Sequence, residues 1–175
     1  MSATAPVAAA IQATSVPQDY ILAPLTVEQY HAMARAGILE EGAPIELLEG
    51  LLVEKVTKHP PHSVATQLLH ENLMRMLPAG WRAVAQEPIT LSDSEPEPDI
   101  VVVRGQAREY RLHHPRPDDI ALVVEVSDAT LARDRGSKRR IYARAALTSY
   151  WLINLIDAQI EVYTEPSGNT AQPSY

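Results

Sequence analysis

Two carboxylates and one lysine occupy positions where a folded chain tolerates charge poorly. Asp99 closes the segment Glu97-Pro98-Asp99 and opens an apolar run, Ile100-Val101-Val102-Val103. Glu125 is the single charge in a second apolar run, Ile120 to Val126. Lys138 follows in a basic segment, with Ile141, Tyr142 and Ala145 at i+3, i+4 and i+7 on its helical stripe. A carboxylate in a buried strand is costly unless it is paired or binds a metal. Together the three groups suit metal-assisted phosphodiester hydrolysis, which needs oxygen ligands for a hard cation and an ammonium to offset developing charge. Mg²⁺ takes one or two protein carboxylates and keeps several waters. Asp99 and Glu125 supply that count, the Val126 carbonyl adds an oxygen, and Mn²⁺ can substitute.

Each residue also has a plainer reading. Lys138 can snorkel, or pair with Asp134 at i−4. Glu46, between Ile45 and Leu47, is either a third acid of the same site or an edge-strand residue facing water. Glu49 and Glu54 are expected to be exposed. Among the 6 histidines there is no HExxH or other zinc spacing. His62 lies ahead of an expected helix and is a candidate phosphate contact. Arg135, Arg139 and Arg140 are candidate outer phosphate contacts, or simply a solvated helix face. Dinucleotide and nucleoside-triphosphate signatures are absent, as is a GxSxG elbow.

The elements that must position these residues follow from periodicity. Thr26 and Gln29 form a capping-box pattern that opens a helix ending near Gly37. Residues 45–56 read as two short strands flanking Glu49-Gly50, a hairpin or a bulge. KHPPH at 58–62 reads as a loop, with Ser63 capping a helix that runs to about Leu77. A strand broken near Pro88, a turn cluster at 92–98, and strands at about 99–103 and 120–127 follow. The polar connection 104–119 is long. A helix over about 131–146 separates 120–127 from the strand 150–156, which makes a βαβ crossover and that pair parallel. Residues 160–163 form a last strand. Antiparallel pairing of 99–103 with 120–127 would bring the start of one beside the end of the other, and Asp99 beside Glu125. The class is α/β, a mixed sheet flanked by helices in a single domain spanning 20–163. Residues 1–19 read as a disordered arm, and 164–175 as a flexible tail.

Bulk composition narrows the partners. At 175 residues the chain can bury one real core. It has no cysteine, which excludes disulfide and thiolate chemistry and fits a cytoplasmic protein. No apolar run approaches the roughly 20 residues of a membrane span. The net charge of −7 is uneven. Ten of the 15 Lys and Arg but six of the 22 acids fall within 104–144, so that stretch is +4 and the remainder −11. A local basic face on an acidic chain is compatible with phosphate contacts.

Four segments, in order, carry a resemblance: PDIVVV (98–103), LVVEVSDAT (122–130), DRGSKRRIYARA (134–145) and SYWLINL (149–155). Together they resemble the Uma-type putative restriction endonuclease family, within the PD-(D/E)xK, restriction-endonuclease-like superfamily. IELLEGLLVEKV upstream is similar to that family's Glu-containing hairpin, and His62 stands where the family often has histidine. The resemblance implies that Asp99 is the acid of the PD element and Glu125 the acid of ExK. Ser127 fills the usual lysine position, and Lys138 occupies the place of a lysine migrated to the next helix. Glu46 corresponds to an additional upstream acid. Ala145-Ala146 replaces the family's common Ala-Gly. The implied function is a Mg²⁺-dependent DNA endonuclease, with a homodimer for double-strand cutting. The competing reading is a catalytically weak nuclease-fold module in a nucleic-acid or regulatory complex. Hydrolysis of another substrate class is a third.

Overall fold

The computed structural model describes residues 19–175. The expected arm therefore lies outside the described residues, apart from Asp19. The chain forms one α/β domain around a five-stranded sheet in the order β3-β4-β5-β6-β7. Its strands are β3 (Trp81–Ala85), β4 (Ile100–Arg104), β5 (Ile120–Ser127), β6 (Ser149–Asn154) and β7 (Gln159–Thr164). All neighbours run antiparallel except β5 and β6, which are parallel. A separate hairpin joins β1 (Ile45–Leu48) to β2 (Leu51–Glu54).

Both sheet faces are buried at its centre. Val101, Val103 and Val123 pack with Ile141, Tyr142, Leu147, Tyr150 and Leu152 on one face. Ile100, Val102, Leu122 and Val124 pack with Leu73 and Ala83 on the other. This explains why β4 and β5 read as unbroken apolar runs rather than alternating ones. α2 (Pro60–Met76) covers the second face. The first is covered by the hairpin and by the helical crossover between β5 and β6.

The capping box of α1 (Val27–Arg35) forms as expected, with Gln29 N–H donating to Thr26 Oγ1 at 3.2 Å and Thr26 N–H to Gln29 Oε1 at 2.8 Å. Residues 45–56 resolve as a hairpin with a two-residue turn. Glu49 and Gly50 have φ of 50° and 75°, the all-positive geometry that matches strand twist. A Cβ at Gly50 would collide with Pro24, so glycine there also permits close approach of the chain entering α1.

Four expectations need correction. α2 starts at Pro60, not Ser63, because proline suits the first helical turn, where its missing N–H has no partner to lose. β3 ends at Ala85, and Gln86 takes a positive φ of 58°, so the chain leaves the sheet before Pro88. The expected single helix over 131–146 is three pieces: α3 (Leu131–Arg133), a π-helical turn (Asp134–Lys138) and α4 (Arg139–Arg144). The tail folds back instead of fraying. Tyr175 donates to the Leu147 carbonyl at 2.8 Å, and its ring packs near those of Tyr150 and Tyr163.

Glu49 is also not a freely exposed acid. Arg140 and Arg144 both bind its carboxylate, and Arg144 also reaches Asp93 at 2.8 Å. The Arg140 hydrogen bond, opposed by burial and helped by Arg144, holds the Glu49 pKa below the usual range. This pins the hairpin turn to α4, and so fixes β1 over the crossover that carries Lys138.

Candidate active site

Register brings the two acids together. β4 and β5 pair antiparallel with Ile100 opposite Val124, so one further step sets Asp99 opposite Glu125. Alternation gives both the same face, the one covered by the crossover and the hairpin. Asp99 stands just beyond the β4 pairing, where its side chain stands in for a strand: Val126 N–H donates to Asp99 Oδ2 at 2.9 Å. The Val126 carbonyl shares that open edge, because a strand residue's N–H and C=O point to the same side.

The helical crossover delivers Lys138. Its ammonium lies 2.9 Å from Glu125 Oε1 and 3.4 Å from Glu46 Oε2. Asp134 does not take it as its main partner, because Asp134 Oδ2 accepts from the hydroxyls of Ser127 and Thr130, each at 2.5 Å. Tyr150 O–H donates to the Asp134 carbonyl at 3.1 Å. Ser127 therefore tethers the π-helical turn to β5. Tyr142, one turn further on, donates to Glu125 Oε1 at 2.5 Å.

Glu46 comes from β1, and Glu97 N–H donates to its Oε2 at 3.2 Å. It is 2% exposed, which removes the water-facing reading. Its Oε1 has no hydrogen-bond partner among the described residues, with the Arg133 guanidinium 4.0 Å away. His62 lies inside the first turn of α2, buried, with Nε2 donating to Asp99 Oδ2 at 3.1 Å. Its ring braces the Asp99 carboxylate from within the cleft lining. Lys58, which periodicity does not single out, reaches Asp99 Oδ1 at 3.2 Å.

These groups line one cleft at the end of the sheet: Glu46, Lys58, His62, Asp99, Glu125 and Lys138, with Val126 and Arg133. Three residues expected to meet phosphate lie outside its lining. Arg135 binds Glu161 at 2.5 Å and Asp157 at 3.4 Å, Arg140 is held by Glu49, and Arg139 sits 5.3 Å from the Tyr163 ring centroid. Their charges are taken by acids and an aromatic ring that are distant in sequence, so local charge could not show it.

The protonation pattern divides the acids. Burial opposes the Asp99 charge, but His62, the Val126 N–H and Lys58 outweigh it and hold its pKa below the ordinary value. Burial pushes Glu125 up to about 8, and Asp134 and Asp99 push the same way, against Lys138 and Tyr142. Burial works against the Lys138 charge, yet Glu125, Glu46 and Asp134 raise its pKa overall. The same surroundings thus favour the Lys138 ammonium and disfavour the Glu125 carboxylate.

The donor set fits a hard divalent cation. Asp99, Glu125, the unpartnered Glu46 Oε1 and the Val126 carbonyl are all oxygens, and none is a soft ligand. No group of three or more His, Asp or Glu side chains stands ready as a metal cage among the described residues. Mg²⁺ does not require one, since waters and substrate oxygens complete its shell.

A mixed sheet wrapped by helices, with acids from β1, from the residue just before β4 and from β5, and a lysine from the crossover at one end, defines a restriction-endonuclease-like α/β domain. The family model described as "Uma2: Putative restriction endonuclease" matches residues 27–175, and the chain belongs to that family. Among solved structures, it is similar to a putative nuclease of DUF820 from Anabaena variabilis at 18% identity and a TM-score of 0.56, covering 83% of this chain and 87% of that one. That likeness concerns the fold. The apo form of NucC from E. coli MS115-1 is more distant, with 13% identity, a TM-score of 0.38 and coverage of 64% and 80%. Comparison with curated proteins finds no match. No helix among the described residues is long and apolar enough to cross a membrane.

Proposed function

We propose that the protein is a Mg²⁺-dependent endonuclease that hydrolyses phosphodiester bonds in DNA, with Mn²⁺ as an alternative ion. The observation that carries this is the convergence of Asp99, Glu125 and Glu46, all at most 5% exposed, on one cleft with the Lys138 ammonium. Asp99 and Glu125 would hold the ion, with the Val126 carbonyl and Glu46 as further oxygens. The ion supplies Lewis-acid polarisation of the phosphoryl oxygen and a more acidic bound water. Lys138, kept protonated, cannot accept a proton, so its role is to donate hydrogen bonds and offset charge at the phosphate. His62 and the Val126 N–H hold Asp99 ionised and aimed at the cleft. Tyr142 orients Glu125. A cut through both strands requires two such sites, so a homodimer belongs to this reading. The test is cleavage of plasmid, single-stranded DNA and RNA in Mg²⁺ or Mn²⁺, which also separates DNA from RNA as substrate.

The raised Glu125 pKa sets a pH signature. An acid whose folded pKa lies above its ordinary 4.5 binds more protons folded than unfolded, so its contribution to stability declines as pH rises from about 4.5 to about 8. A metal ligand must be deprotonated, so ion binding has to displace that proton. The rise in melting temperature caused by millimolar Mg²⁺ should therefore be larger at pH 8.5 than at pH 6. Thermal denaturation at the two pH values checks this, and an equal rise at both would separate Glu125 from the ion.

A further inference from the structure

We propose that Lys58 is a phosphate-binding residue of this site and that it guards Asp99 until metal and nucleic acid arrive. This rests on the nuclease reading. The two oxygens of Asp99 are used differently. Oδ2 accepts from His62 Nε2 at 3.1 Å and from Val126 N–H at 2.9 Å, which are buried and fixed partners. Oδ1 faces the Lys58 ammonium at 3.2 Å. Lys58 thus stands where a cation on Asp99 would stand.

The two lysines of the cleft differ in freedom. Lys138 is 5% exposed at its side chain and is clamped between two buried carboxylates. Lys58 is 35% exposed at its side chain and comes from the short connection between β2 and α2. A flexible four-carbon stem lets its ammonium move several ångströms at small cost. The neighbouring acid Glu97 already holds Lys55 at 2.7 Å, so it does not stand ready as a second partner for Lys58. Its natural partner is the anion that enters with the ion, a phosphodiester oxygen. Arg135 and Arg140 are tied to acids elsewhere, and Arg133 stands further back at 4.0 Å from Glu46, whereas Lys58 is a partly exposed cation within 3.2 Å of Asp99.

Two roles follow. Without substrate, Lys58 competes with the metal for Asp99. With substrate, it contributes one phosphate contact. The experiment compares wild type, Lys58→Ala and Lys58→Arg by three readouts. Titration with Mg²⁺ alone, followed by melting temperature, should reach its midpoint at lower Mg²⁺ in Lys58→Ala than in wild type. Binding to a DNA duplex in Ca²⁺, which supports binding without fast turnover, should give a log K against log salt slope smaller by about 1 in Lys58→Ala, with Lys58→Arg close to wild type. Turnover in Mg²⁺ should fall at least about tenfold in Lys58→Ala. If wild type binds Mg²⁺ and cleaves while Lys58→Ala keeps the wild-type midpoint, slope and turnover, Lys58 is only a partly exposed ion pair and the proposal is wrong. If wild type neither responds to Mg²⁺ nor cleaves, the nuclease reading fails and takes this proposal with it.

Discussion

Lys138→Met should lower the free energy of unfolding by about 3–5 kcal/mol at pH 8, the cost of leaving a buried charge without its partner. Lys138 is the cation held between Glu125 and Glu46, both almost fully buried. Methionine fills similar volume, so the loss reports charge and not a cavity. The deficit should shrink toward pH 5. Glu125, whose pKa burial raises to about 8, is protonated in both proteins at pH 5, so removing the ammonium there leaves no Glu125 charge unpaired, whereas at pH 8 the wild-type carboxylate is partly ionised and relies on Lys138. Urea unfolding of both proteins at the two pH values measures this. A deficit under 1 kcal/mol at pH 8 would mean that Lys138 behaves as a surface lysine. Turnover should fall by roughly 10²–10³, as when one preorganised transition-state donor is removed. Nucleic-acid affinity should change little, because Lys138 neutralises acids in the resting protein.

Asp99→Asn should abolish the Mg²⁺-dependent rise in melting temperature. The amide keeps the shape of the carboxylate but loses the charge that a hard cation needs. A ligand at 100 times its Kd stabilises by about 2.7 kcal/mol, so the lost rise is measurable for an ion bound at millimolar strength or tighter. The variant should fold, because the remaining amide oxygen can still accept from His62 Nε2 or Val126 N–H. Isothermal titration with Mg²⁺ gives the same comparison directly. Equal stabilisation of wild type and variant would place the ion elsewhere.

The site was legible in the sequence to the extent that burial made charge conspicuous. Asp99 and Glu125 stand out because β4 and β5 are central strands with both faces covered, and a carboxylate there interrupts an apolar run. The parallel β5–β6 pair follows from the helix between them, whereas the antiparallel β4–β5 pair is fixed by the register itself. Lys138 was visible from its stripe with Ile141 and Tyr142. Glu46 was ambiguous because a four-residue strand can face either way; only the closing of the hairpin over the crossover buries it.

Other features depend on contacts far apart in the chain. The Glu49 clamp on Arg140 and Arg144 spans more than ninety residues, and no local pattern announces it. Lys58 sits in a loop whose path is set by where α2 begins. Pro60 and Pro61 suggested a break, whereas the helix starts on them, which carries His62 inward against Asp99. The π-helical turn at Asp134–Lys138 contains Gly136 and begins at Asp134, which Ser127 and Thr130 hold through their hydroxyls.

Supercoiled plasmid incubated with the protein in Mg²⁺, and separately in Mn²⁺, tests the proposed chemistry most directly. Nicked and then linear DNA should accumulate with wild type and not with Asp99→Ala, and chelation of the metal should stop the reaction. Plasmid left intact by wild type in both ions, or cut equally by Asp99→Ala, would contradict a metal-dependent nuclease site built on Asp99, Glu125 and Lys138.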